Sequence, residues 1–172
     1  MAPVLANQAV VGATGAETDT LHVELRDVTD PTIVMASANA VLMTNGLASC
    51  NMSAPAGTYW IAVKHCNTIQ TWSANPVALP IPLYNFTTFA TQAFADNMID
   101  VLSEGIFSMY TGDVNQDEFI DIFDFPDYDL DNQNFVAFEY KATDFNGDGF
   151  VDIFDFPIYD GNNQNFIFSI HP

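Results

Sequence analysis

The chain is 172 residues long, 49% apolar and 15% charged, enough for one or two small domains with real cores and too apolar for wholesale disorder. Its 22 acidic residues stand against 3 basic ones, a formal net charge of −19. Neutralising phosphate needs a basic face that three cations cannot make. The balance therefore argues against nucleic acid and anionic lipid as partners, and toward cations or neutral and basic surfaces.

Taken in chain order, Met1-Ala2-Pro3-Val4-Leu5 lacks the basic region and long apolar core of a secretion signal. Either a signal has been removed or the chain is one part of a longer protein. From about residue 18 to 90 the pattern reads as strands. Leu21, Val23 and Leu25 alternate with His22, Glu24 and Arg26, the period of two that marks a half-buried strand. Asp30-Pro31 breaks the run and Ile33 to Met43 resumes it. Ser37 and Asn39 fall inside that stretch, and no run reaches the ~18 apolar residues a membrane-spanning helix needs. Asn45-Gly46 is a hairpin signal, and Leu47 to Met52 then leads to a second turn at Ala54-Pro55-Ala56-Gly57. Thr58 to His65 alternates Tyr59, Ile61 and Val63 against Trp60, Ala62 and Lys64. Val77 to Pro82 holds two prolines and reads as an edge or irregular segment. Tyr84 to Phe89 and Ile106 to Tyr110 supply the last strands; Asn97 to Leu102 is ambiguous. Short strands with turns about every ten residues point to a β-sandwich, immunoglobulin-like or prealbumin-like, over residues 1–110. If the second turn is the hairpin, residue 50 faces about residue 61, so Cys50 and Cys66 read as two buried thiols rather than a disulfide.

The last third changes character. Residues 113–172 hold 14 of the acidic residues and one lysine, yet are rich in Phe. Disordered acidic tails lack aromatics, so this segment is expected to fold around an agent that neutralises its carboxylates, most simply a bound divalent metal. It contains a repeat at a spacing of 31 residues. Residues 113–135 align without gaps on 144–166, with 16 of 23 positions identical. Oxygen-bearing side chains recur at loop positions 1, 3, 5, 9 and 12. The first copy gives Asp113, Asn115, Asp117, Asp121 and Asp124; the second gives Asp144, Asn146, Asp148, Asp152 and Asp155. A tight loop wraps a hard cation with alternate side-chain oxygens, a backbone carbonyl at position 7 (Phe119, Phe150) and a last carboxylate from a following helix. All-oxygen ligation selects calcium over zinc or copper, and two Ca²⁺ sites are expected. The alternative of a solvated acidic turn suits a single match better than two in register. Position 6, where Gly favours the sharp turn, is Gly149 in the second copy and Glu118 in the first. Tighter binding is therefore expected at the second loop.

These loops resemble the type I dockerin repeat, a paired calcium loop–helix module, over about residues 112–168. The resemblance implies a short helix after each loop. Pro126 and Pro157, two residues past the last ligand, are expected to keep those helices short or kinked. Dockerins meet cohesins partly through small polar residues at positions 10 and 11; here those positions are Ile122-Phe123 and Ile153-Phe154. More broadly, the stretches Thr20–Asp27, Tyr59–His65, Thr71–Ala74 and Tyr84–Thr88, together with the loops, make the chain similar to the C-terminal region of secreted Bacteroidetes-type surface proteins. That resemblance implies an extracellular, cell-surface address. It also implies a β-sandwich leading straight into the duplicated module at residues 111–172, and a strand preceding Met1 whose absence leaves a sheet edge open. The fold class expected is mostly β with a small α part.

His22, His65 and His171 match no catalytic spacing, and no nucleophile elbow, phosphate loop or H-E-x-x-H is present. No enzyme activity is expected. Trp60 and Trp72 invite a sugar platform, although core packing accounts better for at least one. Phe123, Phe125, Phe154 and Phe156 are more apolar surface than two short helices can hide from each other, and are expected to pack on the sandwich or on another subunit. The reading is a noncatalytic, calcium-stabilised extracellular module for cell-surface assembly or adhesion, with a protein partner or self-association. The alternatives are a self-assembling filament subunit, through strand donation or aromatic contacts, and a glycan-binding accessory module of a larger glycan-degrading enzyme.

Overall fold

A computed structural model describes residues 1–80 and 83–172. The alternating segments become the centre of an antiparallel sheet. Strand β1 (Glu17–Arg26) pairs on one side with β2 (Val34–Met43) and on the other with β3 (Thr58–His65), which pairs in turn with β4 (Thr68–Trp72) and β5 (Val77–Ala78). The order is β2-β1-β3-β4, with β5 sharing the β4 side of β3. His22 faces Lys64 and Leu25 faces Ile61 across β1 and β3, so the two alternating runs lie in phase. Leu21, Val23, Leu25, Tyr59, Ile61 and Val63 then form one buried face. The opposite face carries Glu24, buried beneath Arg26, Lys64 and His22. Tyr59 and Trp60 lie on opposite faces, as alternation requires.

The second sheet of a sandwich is not formed among the described residues. The buried face is covered instead by irregular chain carrying Met52, Ala54, Leu79, Tyr84, Phe86 and Met109. The Asn45-Gly46 turn does form, with Gly46 at φ +84°, but the chain after it returns only one bridge, Leu42 to Ala48. Leu47 and Ala48 to Asn51 are exposed, so nothing apolar draws Leu47 to Met52 into a ladder. Tyr84 to Phe89 forms no strand, and Ile106 to Tyr110 contributes an isolated bridge, Ser108 to Ile99. The irregular reading of Val77 to Pro82 is half met by the two-residue β5; Ile81 and Pro82 lie outside the described residues. Both cysteines are free, but Cys50 is exposed and Cys66 only half-buried, so the expectation of two buried thiols is not met.

The helical part is small: α1 (Val4–Asn7), α2 (Phe125–Gln133) and α3 (Phe156–Gln164). Among the described residues no helix is long and apolar enough to cross a membrane. Pro126 and Pro157 sit in the first turn of α2 and α3, where a helix leaves its N–H groups unbonded in any case. The helices are short, nine residues each, as the prolines led one to expect. The two copies share a core of Ile120, Tyr128, Phe145, Val151 and Tyr159, which closes on Ile69 of β4. Ser169 Oγ donates to Gln70 O, and the Gly112 N–H to Asn67 O, so the last third docks along the β4 side of the sheet. Phe125 and Phe156 meet each other and the two tyrosines, with ring centroids 5.9 to 6.2 Å apart. Two of the four Phe therefore pack within the repeat itself, although Phe125 is only half-buried and Phe156 stays 37% exposed. Phe123 and Phe154, at 71% and 68% exposure, pack on neither the helices nor the sheet.

Candidate metal-binding sites

Each repeat copy folds into a loop that encircles its own carboxylates. Asp113 and Asp124 of the first loop, and Asp144 and Asp155 of the second, are buried. Asp113 accepts the N–H groups of Asp117 and Glu118 at 3.1 Å. Asp124, at the start of α2, reaches back to accept Val114 and Asn115 on one oxygen and Asp121 on the other. The second loop repeats this: Asp144 accepts Gly147, Asp148 and Gly149, and Asp155 accepts Asn146 and Asp152. Asn115 and Asp117 are joined to each other, as are Asn146 and Asp148. Asp121 and Asp152 turn their carboxylates to the N–H groups of Phe123 and Phe154. Both loops take left-handed backbone at positions 4 and 6, at Gln116 and Glu118 and at Gly147 and Gly149. The Tyr128 phenol donates to Asp152 O of the other copy, and the Tyr159 phenol to Asp121 O, so the two loops are locked reciprocally.

The electrostatics follow from burying like charges together. Burial first, and then Asp124 and the other neighbouring carboxylates, push Asp113 up to about 7. Burial chiefly, with Asp144 adding to it, pushes Asp155 up to about 6, and burial also raises Asp124. No basic side chain offsets them, because Lys141 pairs with Asp131 and both Arg26 and Lys64 pair with Glu24. The donors are hard oxygens, the class calcium takes. The carbonyls of Phe119 and Phe150 accept no hydrogen bond among the described residues. The carboxylates of neither loop, however, gather three ligand atoms within 4.8 Å of one another.

One trio does, and it lies elsewhere. Asp19 of β1, with His65 and Cys66 at the β3–β4 turn, bring a carboxylate oxygen, an imidazole nitrogen and a sulfur all within 4.8 Å, and could hold a metal ion. His65 Nε2 lies 2.8 Å from Asp19 Oδ2, and Cys66 Sγ lies 3.8 Å from the same nitrogen. Burial opposes a charged imidazole, but Asp19 and Cys66 outweigh it and raise His65 to about 10. Sequence reasoning missed this cluster. Its signal was the β1–β3 register: continuing the His22–Lys64 pairing carries Asp19 opposite the turn that holds Cys66.

Trp72 is buried, with Arg26 over its ring and His171 stacked on it, and Trp60 packs edge-on against Phe94. Trp72 therefore offers no open indole face as a sugar platform, whereas Trp60 is half-buried. Comparison with protein-family models, curated proteins and solved structures found no match to this chain.

Proposed function

We propose that the chain is a noncatalytic, calcium-stabilised extracellular module that serves cell-surface assembly or adhesion. The observation that carries this reading is the duplicated ring of buried carboxylates with no basic side chain beside it. Two Ca²⁺ ions, one per loop, would be held by Asp113, Asn115, Asp117, the Phe119 carbonyl, Asp121 and Asp124, and by Asp144, Asn146, Asp148, the Phe150 carbonyl, Asp152 and Asp155. Each ion would remove two units of negative charge from a chain of net −19 and relieve the repulsion among carboxylates packed beside aromatic rings. Unlike those rings, Ile122-Phe123 and Ile153-Phe154 stay exposed at 65–71%, and they offer a protein partner an apolar contact on each loop.

Calorimetric titration of calcium tests this, with thermal melting in calcium and in chelator. Two sites are expected, one lost in Asp113→Ala and the other in Asp144→Ala, with the second loop the tighter. A melting curve that chelator leaves unchanged would refute the reading. A second reading, a filament subunit, is favoured by the outer edge of β2, which no described strand covers and where Val34, Met35 and Val41 are exposed. Electron microscopy with and without calcium separates the two: filaments support the second and dispersed particles the first.

A further inference from the structure

We propose that Asp19, His65 and Cys66 form a mononuclear site for a divalent transition ion of zinc's class, separate from the two calcium loops. A thiolate and an imidazole are poor ligands for calcium and good ones for a borderline-soft ion. With metal–nitrogen and metal–sulfur bonds of about 2.0 and 2.3 Å, the 3.8 Å between Nε2 and Sγ corresponds to an angle of about 120° at the ion. The 2.8 Å between Nε2 and Asp19 Oδ2 needs to open by only about half an ångström to reach tetrahedral spacing.

The groups behind these ligands already have the orientation that such a site requires. Asn67 donates its amide to Ala142 O, which turns its oxygen toward His65 Nδ1 at 2.8 Å. Nδ1 therefore donates to that oxygen, and Nε2 is the nitrogen that faces Asp19 and Cys66, where a bound ion would take the place of its proton. Tyr140 and the Thr20 N–H donate to Asp19 Oδ1 at 2.9 and 2.7 Å, which leaves Oδ2 directed at the cluster. Two irregularities of the sheet bring the residues together. A bulge in β1 between Glu17 and Asp19 buries Thr18 and Asp19 in succession, and a register shift between Val63 and His65 turns the end of β3. A surface hollow of about 310 Å³, walled by Thr20, His22, Asn39, Lys64 and Gln116, adjoins His65 and Cys66 and has room for water as a fourth ligand. A nucleophilic role for the thiol fits less well. Sγ lies 3.8 and 4.0 Å from the two ring nitrogens, at the long end for handing a proton to either, and Asp19 already occupies Nε2 at 2.8 Å. The ion would instead staple β1 to the β3–β4 turn beneath Tyr140, where the sheet meets the last third of the chain.

The test is cobalt(II) titration of the whole chain in saturating calcium. The expected result is one equivalent bound, with a thiolate-to-cobalt charge-transfer band that zinc abolishes. Cys66→Ser should lose the band, Cys50→Ser should keep it, and Asp19→Asn should weaken binding at least tenfold. Absence of the band, or its survival in Cys66→Ser, would overturn the proposal. Should Cys66→Ser fail to fold, alkylation of the native chain decides: zinc should protect Cys66 and leave Cys50 reactive, and equal reactivity of Cys66 with and without zinc would overturn the site. Because calcium is saturating throughout, failure here is distinct from failure of the loops.

Discussion

The two loops share 16 of 23 positions but answer to different neighbours. In the first, Gln116 donates to Cys66 O and Asp113 O, and the Glu118 carboxylate accepts the Gln70 N–H at 3.0 Å, so positions 4 and 6 tie the loop to the sheet. In the second, those positions are Gly147 and Gly149 and α1 lies directly over them. A Cβ on Gly149 would collide with the Asn7 carbonyl, and one on Gly147 with the Val4 side chain. Asn7 donates to Gly147 O, and Gln8 to the buried Asp144 carboxylate at 2.8 Å. The left-handed backbone is common to both copies, at +73° for Glu118 and +93° for Gly149. What glycine supplies in the second copy is therefore room for α1. Glu118 bears a left-handed conformation that costs about 1–2 kcal/mol and offsets part of it by holding β4.

The sharpest way to break this comparison is Gly149→Ala. A methyl group against a backbone carbonyl, at a positive φ, should cost about 3 kcal/mol or more by chemical denaturation, whereas a loss under about 1 kcal/mol would mean that α1 is not seated on the second loop. A smaller effect comes from pH in the presence of chelator. The carboxyls of Asp113 and Asp155 are raised above their unfolded range, to about 7 and about 6, so the folded state takes up protons. Stability without metal should be greatest below about pH 4 for these groups and fall as pH rises to about 7. Calcium should reverse that slope, since protons compete with the ion. Melting curves across that range read both signs, and a metal-free chain that gains stability between pH 5 and 7 would contradict the burial of these carboxylates. The smallest effect is Glu118→Gly, where relief of the left-handed strain and loss of the Gln70 hydrogen bond should cancel to within about 0.5 kcal/mol in denaturant midpoints. A loss well above that would place the main tie of the first loop at Glu118.

The loops were legible because their spacing is local: positions 1 to 12 close on themselves whatever the rest of the chain does. Strands β1 and β3 were legible for the same reason, since alternation over Leu21–Arg26 and Thr58–His65 describes a surface with one buried side. The second sheet was over-read, because the aromatic residues of Tyr84–Phe89 pack as well in irregular chain, where Tyr84 O–H donates to Gln92 O, as in a ladder. The prolines were legible as a limit on helix length, and they fall in the first turn because Asp124 and Asp155 cap their helices rather than lie within them. The Asp19–His65–Cys66 cluster was out of reach of any window along the chain. It depends on a pairing 46 residues apart in sequence and on two bulges, neither of which leaves a compositional mark.

All three basic side chains of the molecule are engaged internally, Arg26 and Lys64 at Glu24 and Lys141 at Asp131. No positive patch is left to face outward, so two copies approach as anions whatever their orientation. The barrier extends about 30 Å in dilute buffer and shrinks to about 8 Å at physiological ionic strength. The exposed Ile-Phe pairs and the β2 edge therefore come within contact range only where salt, or a bridging divalent ion between copies, has collapsed that cloud.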